Sequence, residues 1–334
     1  MSEIQKIQML KNEESMEEFH PDVSALPPKI KRRKDQGGKV FFYTMVALPI
    51  LQFVIFYIIV NFNSILLAFK EYFPQENGVY AEKWVGLDNF RRIFHDFQTN
   101  EWMKNLIPNS LLYFGVSLLI VMPLTLLFSY YIYKKFYFYQ FFRVMLFLPS
   151  IICSLVIILF YRDFVDSVVL LFIGKGSSTK IDSLWAEAYA RMPLVIYFVL
   201  VGFSSAILLY LNAMSGVSES TVEAAGIDGA SELQTFWFVI LPSIWGTIVS
   251  LFVIALAAIG TEQANLYSIY GNNAPEKLQT LGYYIFEMVT TSSGGEDPTM
   301  YPTASAYGLM ITLVIAPITI ISRNLLLKYG PSED

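Results

Sequence analysis

A chain of 334 residues with 54% hydrophobic and 15% charged positions, and a mean hydropathy of +0.48, does not have the composition of a soluble domain. The formal charge of −5 excludes little, because in a membrane protein the placement of Lys and Arg matters more than their sum. One cysteine and two histidines (His20 and His95) exclude an intrachain disulfide and leave metal catalysis without a ligand set.

Residues 1–39 begin acidic (Glu13, Glu14, Glu17, Glu18) and turn basic (Lys29, Lys31, Arg32, Arg33, Lys34, Lys39). They lack the apolar segment and cleavage site of a secretory signal and read as a flexible tail that anchors topology. Residues 40–334 are expected to form one transmembrane domain. Six runs, near 41–69, 106–133, 141–161, 189–211, 242–261 and 303–327, reach the roughly 20 apolar residues that a bilayer core requires. They are too long and too uniformly apolar for tilted barrel strands of about 10 residues. The expected fold class is therefore all-α: a polytopic membrane protein with six transmembrane helices. Pro49 and Pro123 lie within the first two runs and predict kinks.

Basic residues set the orientation. Besides the tail cluster, Lys134, Lys135 and Arg143 lie between spans two and three, and Arg323 and Lys328 lie at the end of span six. With six spans, these residues and both termini fall in the cytoplasm, and the loops 70–104 and 262–302 face out. In the first of those loops, Leu87-Asp88-Asn89-Phe90 predicts the start of a short amphipathic helix through His95. Cys153 falls inside span three and reads as a small packed residue. Gly174-Lys175-Gly176-Ser177-Ser178-Thr179 lacks the spacing of a phosphate loop and predicts no nucleotide site. Asp163 and Asp166 form a close acidic pair that reads as a solvated loop face, so a membrane-embedded hydrolase or transferase finds no support. No internal repeat suggests a secondary transporter.

The segment 217–242 stands apart. Between Asn212 and Ile240 there is no Lys or Arg, while Glu219, Glu223, Asp228 and Glu232 are present, a poor match to an anionic leaflet. Ser218 or Ser220 can cap a short helix whose Ala224 and Ala225 leave a smooth surface. Gly229 permits a turn that other residues resist. Phe236, Trp237 and Phe238 lead back to the membrane, and Pro242 suits the start of span five. The unit reads as a lever that docks a partner, ahead of the alternative of an interfacial helix lying on headgroups.

Glu223-Ala224-Ala225, three residues, Gly229, nine residues, then Val239-Ile240-Leu241-Pro242 resembles the EAA signature of permease subunits in binding-protein-dependent ABC importers, with Val239 where the family pattern has Ile. Trp84 through Phe90, the stretch Arg143 through Pro149, Glu262-Gln263, and Thr303 through Leu309 are similar to the maltose-permease-like branch, near the oligosaccharide and polysaccharide permeases of Gram-positive bacteria. The resemblance covers about residues 40–330. It implies a non-enzymatic subunit of the bacterial plasma membrane, paired with a second permease as a heterodimer. Two ATPase subunits carrying ATP and Mg, an extracellular solute-binding lipoprotein and a carbohydrate substrate complete the implied system. No cofactor on this chain and no nucleic-acid partner are expected. Glu223, Ala224, Ala225, Gly229, Leu241 and Pro242 are the implied ATPase-coupling residues, in a cytoplasmic coupling helix. ATP-driven closure of the ATPases would move that helix and turn the cavity outward.

Polar and aromatic residues within spans mark an expected substrate path: Tyr197, Ser204 and Ser205 in span four, Glu262, Gln263 and Asn265 at the outer end of span five, and Tyr307 in span six. Hydroxyl-rich sugars need hydrogen-bonding groups and aromatic faces, which this set supplies. Helix packing is an equally good account of Tyr197, Ser204, Ser205 and Tyr307, and Glu262 and Gln263 can equally cap a helix or meet the binding protein. A permease for another solute, such as glycerol phosphodiesters or peptides, is the alternative. The scarcity of intramembrane Arg and Lys, beyond Arg143 and Arg191 at span ends, favours a neutral substrate.

Overall fold

The computed structural model describes residues 36–75, 80–169, 185, 189–293 and 298–331. The predicted tail, most of it, and the 174–179 segment lie outside the described residues. The chain divides into two units, Met1–Val60 and Asn61–Asp334.

Four helices are long and apolar enough to cross a membrane: α1 (Phe41–Leu67), α3 (Met103–Tyr133), α6 (Arg191–Ser215) and α12 (Met300–Tyr329). Two further pairs qualify only if each is taken as one bent span: α4 (Tyr139–Ile151) with α5 (Ser154–Val168), and α8 (Glu232–Ser243) with α9 (Trp245–Gly260). Among the described residues the count is thus four, or up to six. Between α1 and α3 lie a two-stranded antiparallel hairpin, β1 (Lys70–Pro74) and β2 (Tyr80–Trp84), and the helix α2 (Asp88–Thr99). Among the described residues, the remaining helices are α7 (Glu219–Ile227), α10 (Leu266–Tyr270) and α11 (Leu281–Ser293).

The third expected run is not one straight helix. Its halves meet at 106° where Ile152 and Cys153 turn extended (ψ 143° and 127°), just after Pro149. Cys153 is consequently exposed at a break and not packed inside a helix. The fifth run also starts differently. Pro242 lies near the end of α8, and the chain turns by 72° at Ile244 before α9 begins. The expected kink at Pro123 takes the form of a wide π turn, Ser117–Val121, ending two residues earlier; Phe236–Ile240 stands in the same relation to Pro242. Proline cannot donate to the carbonyl four residues back, and a widened turn re-registers the ladder around that gap.

Within Asn61–Asp334, α6 packs along α3 and α4, and α12 packs on α9 and α11. Three buried clusters follow. One joins Tyr113, Ile158, Leu194, Tyr197 and Tyr283. A second joins Ile93, Leu106, Leu281, Met288 and Tyr307. The third gathers Leu126, Tyr130, Tyr210, Met214, Phe236, Ile240 and Ile248. Buried polar groups pin the segment entering α11 onto α3: Asn109 Nδ2 donates to the carbonyls of Lys277 (2.9 Å) and Gln279 (2.8 Å), and Leu281 N–H donates to Ser110 Oγ (3.0 Å). Such bonds answer the orphan carbonyls of an irregular segment and hold it to one conformation.

Candidate functional site

The segment 217–242 folds as a helix, a glycine turn and a second helix. α7 begins at Ser218, whose Oγ lies 2.7 Å from Ser220 Oγ instead of capping the backbone. It ends in a Schellman turn: Ala230 N–H donates to Ala225 O (3.0 Å) and Gly229 N–H to Gly226 O (3.1 Å), with Gly229 at φ +80°. A β-carbon at Gly229 would meet no atom, so the backbone angle and not space is what demands glycine. Ser231 then opens α8 with a reciprocal capping box to Gln234.

Glu223 lies in the body of α7, exposed, a turn beyond Glu219 and away from either helix end. Ala224 is exposed and Ala225 half-buried. Around the turn, Ile227 is 86% and Leu233 67% exposed, an apolar surface on an otherwise acidic unit. Leu241 and Pro242 are half-buried behind it, next to buried Phe236 and Ile240.

A tether that sequence reasoning missed binds this unit to α3. Tyr130 Oη donates to Glu232 Oε2 at 2.7 Å, and Lys134 Nζ pairs with the same carboxylate at 3.0 Å. Tyr130 and Glu232 are 102 residues apart in the chain, so no local pattern announces the contact. α6 leads directly into α7, and α8 is held to α3.

Beside this unit, a cleft of about 610 Å³ has Lys134, Lys135 and Arg143 on the side of α3 and α4, and Glu219 and Glu223 on α7. Higher in the bundle, a cavity of about 280 Å³ opens between α3, α6 and α9. Ser205 and Glu262 both line it, with Ser117, Thr125, Phe198 and Phe252. Ser205 Oγ also donates to Gly202 O (3.0 Å). Glu262 follows α9, and its Oε1 accepts from Ala264 N–H at 2.8 Å. Burial raises its carboxyl pKa, and backbone hydrogen bonds from Ala264 and Gln263 partly counter that.

The other expected path residues lie elsewhere. Gln263 lines a separate, mostly apolar cleft of about 590 Å³ between α9, α11 and α12. Asn265, at φ +56°, is the turn residue that starts α10. Tyr197 is buried and donates to Ser154 O (3.3 Å), and Tyr307 is buried with its hydroxyl 3.6 Å from Met103 Sδ. Ser204 is buried, and among the described residues its Oγ has no hydrogen-bond partner. Among the described residues, no group of three His, Cys, Asp or Glu is placed to hold a metal ion.

Residues 122–329 match the family model described as the inner membrane component of binding-protein-dependent transport systems, a match that spans α7, its glycine turn and both bent helix pairs. The chain belongs to this family. It is a transmembrane permease, a transport subunit and not an enzyme. This permease is 26% identical over 328 residues to the polygalacturonan/rhamnogalacturonan transport system permease protein YteP of Bacillus subtilis, covering 93% of this chain and 96% of that one. It is 23% identical over 302 residues to the multiple sugar-binding transport system permease protein MsmF of Streptococcus mutans, covering 87% and 97%. A solved bacterial ABC transporter involved in the import of the acidic polysaccharide alginate contains a chain of the same fold, with a TM-score of 0.69 and 23% identity, over 89% of this chain and 98% of that one.

Proposed function

We propose that this permease forms half of the translocation path of a bacterial ABC importer for an oligosaccharide, driven through α7 and its glycine turn. Each bent pair then counts as one span, giving six, with both termini and the 217–242 unit in the cytoplasm. A second permease completes the path as a heterodimer. Two ATPase subunits bind ATP and Mg, and an extracellular lipoprotein delivers the sugar. The carbohydrate reading is supported by near-full-length similarity to permeases named for sugar polymers and sugars.

The observation that carries the coupling reading is the helix–Gly229–helix unit itself. It presents Glu223, Ala224, Ile227 and Leu233 outward, while its inner face is bonded and packed to α3. An exposed apolar patch on a rigidly held lever suits a protein cleft. Closure of the ATPase pair favours the state in which both levers have moved, a two-state equilibrium biased by ATP. Ser205 and Glu262 in the cavity between α3, α6 and α9 are the residues of this chain assigned to the path.

The test is ATP-dependent uptake of labelled oligosaccharides by proteoliposomes holding the whole importer. Uptake that requires ATP, the binding lipoprotein and this chain is the expected result. Uptake of amino acids, peptides or phosphodiesters in place of sugars would overturn the substrate class.

A further inference from the structure

The cavity between α3, α6 and α9 has an unusual charge balance for a path that carries sugars. Its polar lining is mostly hydroxyl: Ser117, Thr125 and Ser205, with Phe198 and Phe252 supplying apolar ring faces. Among the described residues that line it, Glu262 is the only carboxylate, and no Lys or Arg is present. Among the described residues, Glu262 has no ion-pair partner. Its partners are backbone N–H groups, with Ala264 N–H at 2.8 Å; they favour the ionised carboxylate and work against the burial that raises its pKa. The same residue's carbonyl accepts from Thr280 Oγ1 at 2.6 Å, and Gly282 brings the following segment against the Thr261–Glu262 backbone. The carboxylate is thus held in place at the cavity wall.

A fixed negative charge in a partly dehydrated cavity acts differently on two kinds of sugar. A neutral pyranose offers O–H donors that a carboxylate accepts, forming charge-assisted hydrogen bonds. A uronate of the same size and linkage brings a second carboxylate, with no cation in this lining to receive it. Like charges at close range in a medium of reduced dielectric repel by enough to shift binding by about ten- to a hundredfold.

We propose that Glu262 is a charge filter: it admits neutral oligosaccharides and rejects uronate-bearing ones of the same shape. The filter rests on the reading of this cavity as the sugar path, and it determines specificity by charge where the fold does not.

The test uses the detergent-solubilised importer, assembled without the binding lipoprotein so that the lipoprotein's own preference does not enter. Binding is measured for labelled trisaccharide pairs matched in linkage: galactose against galacturonic acid, and glucose against glucuronic acid. The reported quantity is the neutral-to-uronate affinity ratio. Wild type is expected to favour the neutral member of a pair by at least about tenfold. Glu262→Gln, which keeps an acceptor for Ala264 N–H, should bring the ratio toward unity, and Glu262→Asp should restore it. A wild-type ratio near or below one, or an unchanged ratio in Glu262→Gln, overturns the filter while leaving the sugar path intact. Failure of the wild-type complex to bind any of the four sugars overturns the sugar path, and the filter with it.

Discussion

Removing a single hydroxyl tests whether α8 is held to α3 as described. In Tyr130→Phe the ring stays in its buried cluster, but the donor to Glu232 Oε2 at 2.7 Å is gone. A hydrogen bond to a charged acceptor contributes about 1.5–3 kcal/mol. The Glu232 side chain is 55% exposed, so water replaces part of the lost bond and the lower end applies, about 1–2 kcal/mol. At the start of α8 this is a factor of about 5–30 in the local opening equilibrium. Lys134→Met removes only the half-exposed ion pair at 3.0 Å, worth at most about 1 kcal/mol. Hydrogen exchange on the assembled importer in nanodiscs reads the amides of 232–240 directly. Exchange there should accelerate about 5–30-fold in Tyr130→Phe and less in Lys134→Met. Equal protection in wild type and Tyr130→Phe, or a larger effect from Lys134→Met, would refute the tether.

Other substitutions probe the supports of the same architecture. Asn89 Nδ2 donates to the carbonyls of Ala68 (2.9 Å) and Lys70 (2.8 Å), so Asn89→Leu should cost about 2–4 kcal/mol and lower the melting midpoint of the complex. A β-carbon at Gly282 would overlap the backbone of Thr261 and Glu262, whereas one at Gly115 meets nothing. Gly282→Ala should therefore destabilise by about 1–3 kcal/mol and impair uptake, with Gly115→Ala close to wild type in both thermal stability and transport. Gly229→Val places a β-branched residue at φ +80°, at a cost of about 1–2 kcal/mol, and should weaken retention of the ATPase. Gly226→Ala, within α7 and free of any clash, should leave retention unchanged or improved.

The membrane-length helices were readable because the bilayer imposes a length of apolar sequence that little else requires. The bends were not. The extended pair at Ile152–Cys153 contains neither Gly nor Pro, so no residue of the pair itself marks the break. Pro242 read as the start of span five, but it lies near the end of α8 and the turn falls after it, at Ile244. The hairpin Lys70–Trp84 was missed because its strands are short and charged, and their alternation is too brief to stand out. α2 was legible at its start and ran past the expected end at His95 to Thr99. Its Asn89 turned out to clamp distant carbonyls, a role only tertiary structure assigns.

At the coupling unit the local chemistry carried through: Gly229 occupies the left-handed position that a Schellman turn requires. Its attachment to Tyr130 did not show in sequence. Among the polar residues picked from the spans, hydrophobicity patterns could not separate those buried against neighbours (Tyr197, Ser204, Tyr307) from those lining a cavity (Ser205, Glu262). That distinction depends on the rotation of each helix, which packing sets.

The central claim is that α7 and its glycine turn carry the ATPase. Its most direct measurement is co-purification of the ATPase with the solubilised permease pair, comparing wild type with Glu223→Ala combined with Gly229→Pro. Loss of the ATPase with the partner permease retained is the predicted result. Full retention of the ATPase would contradict the account and place the docking surface elsewhere on the chain.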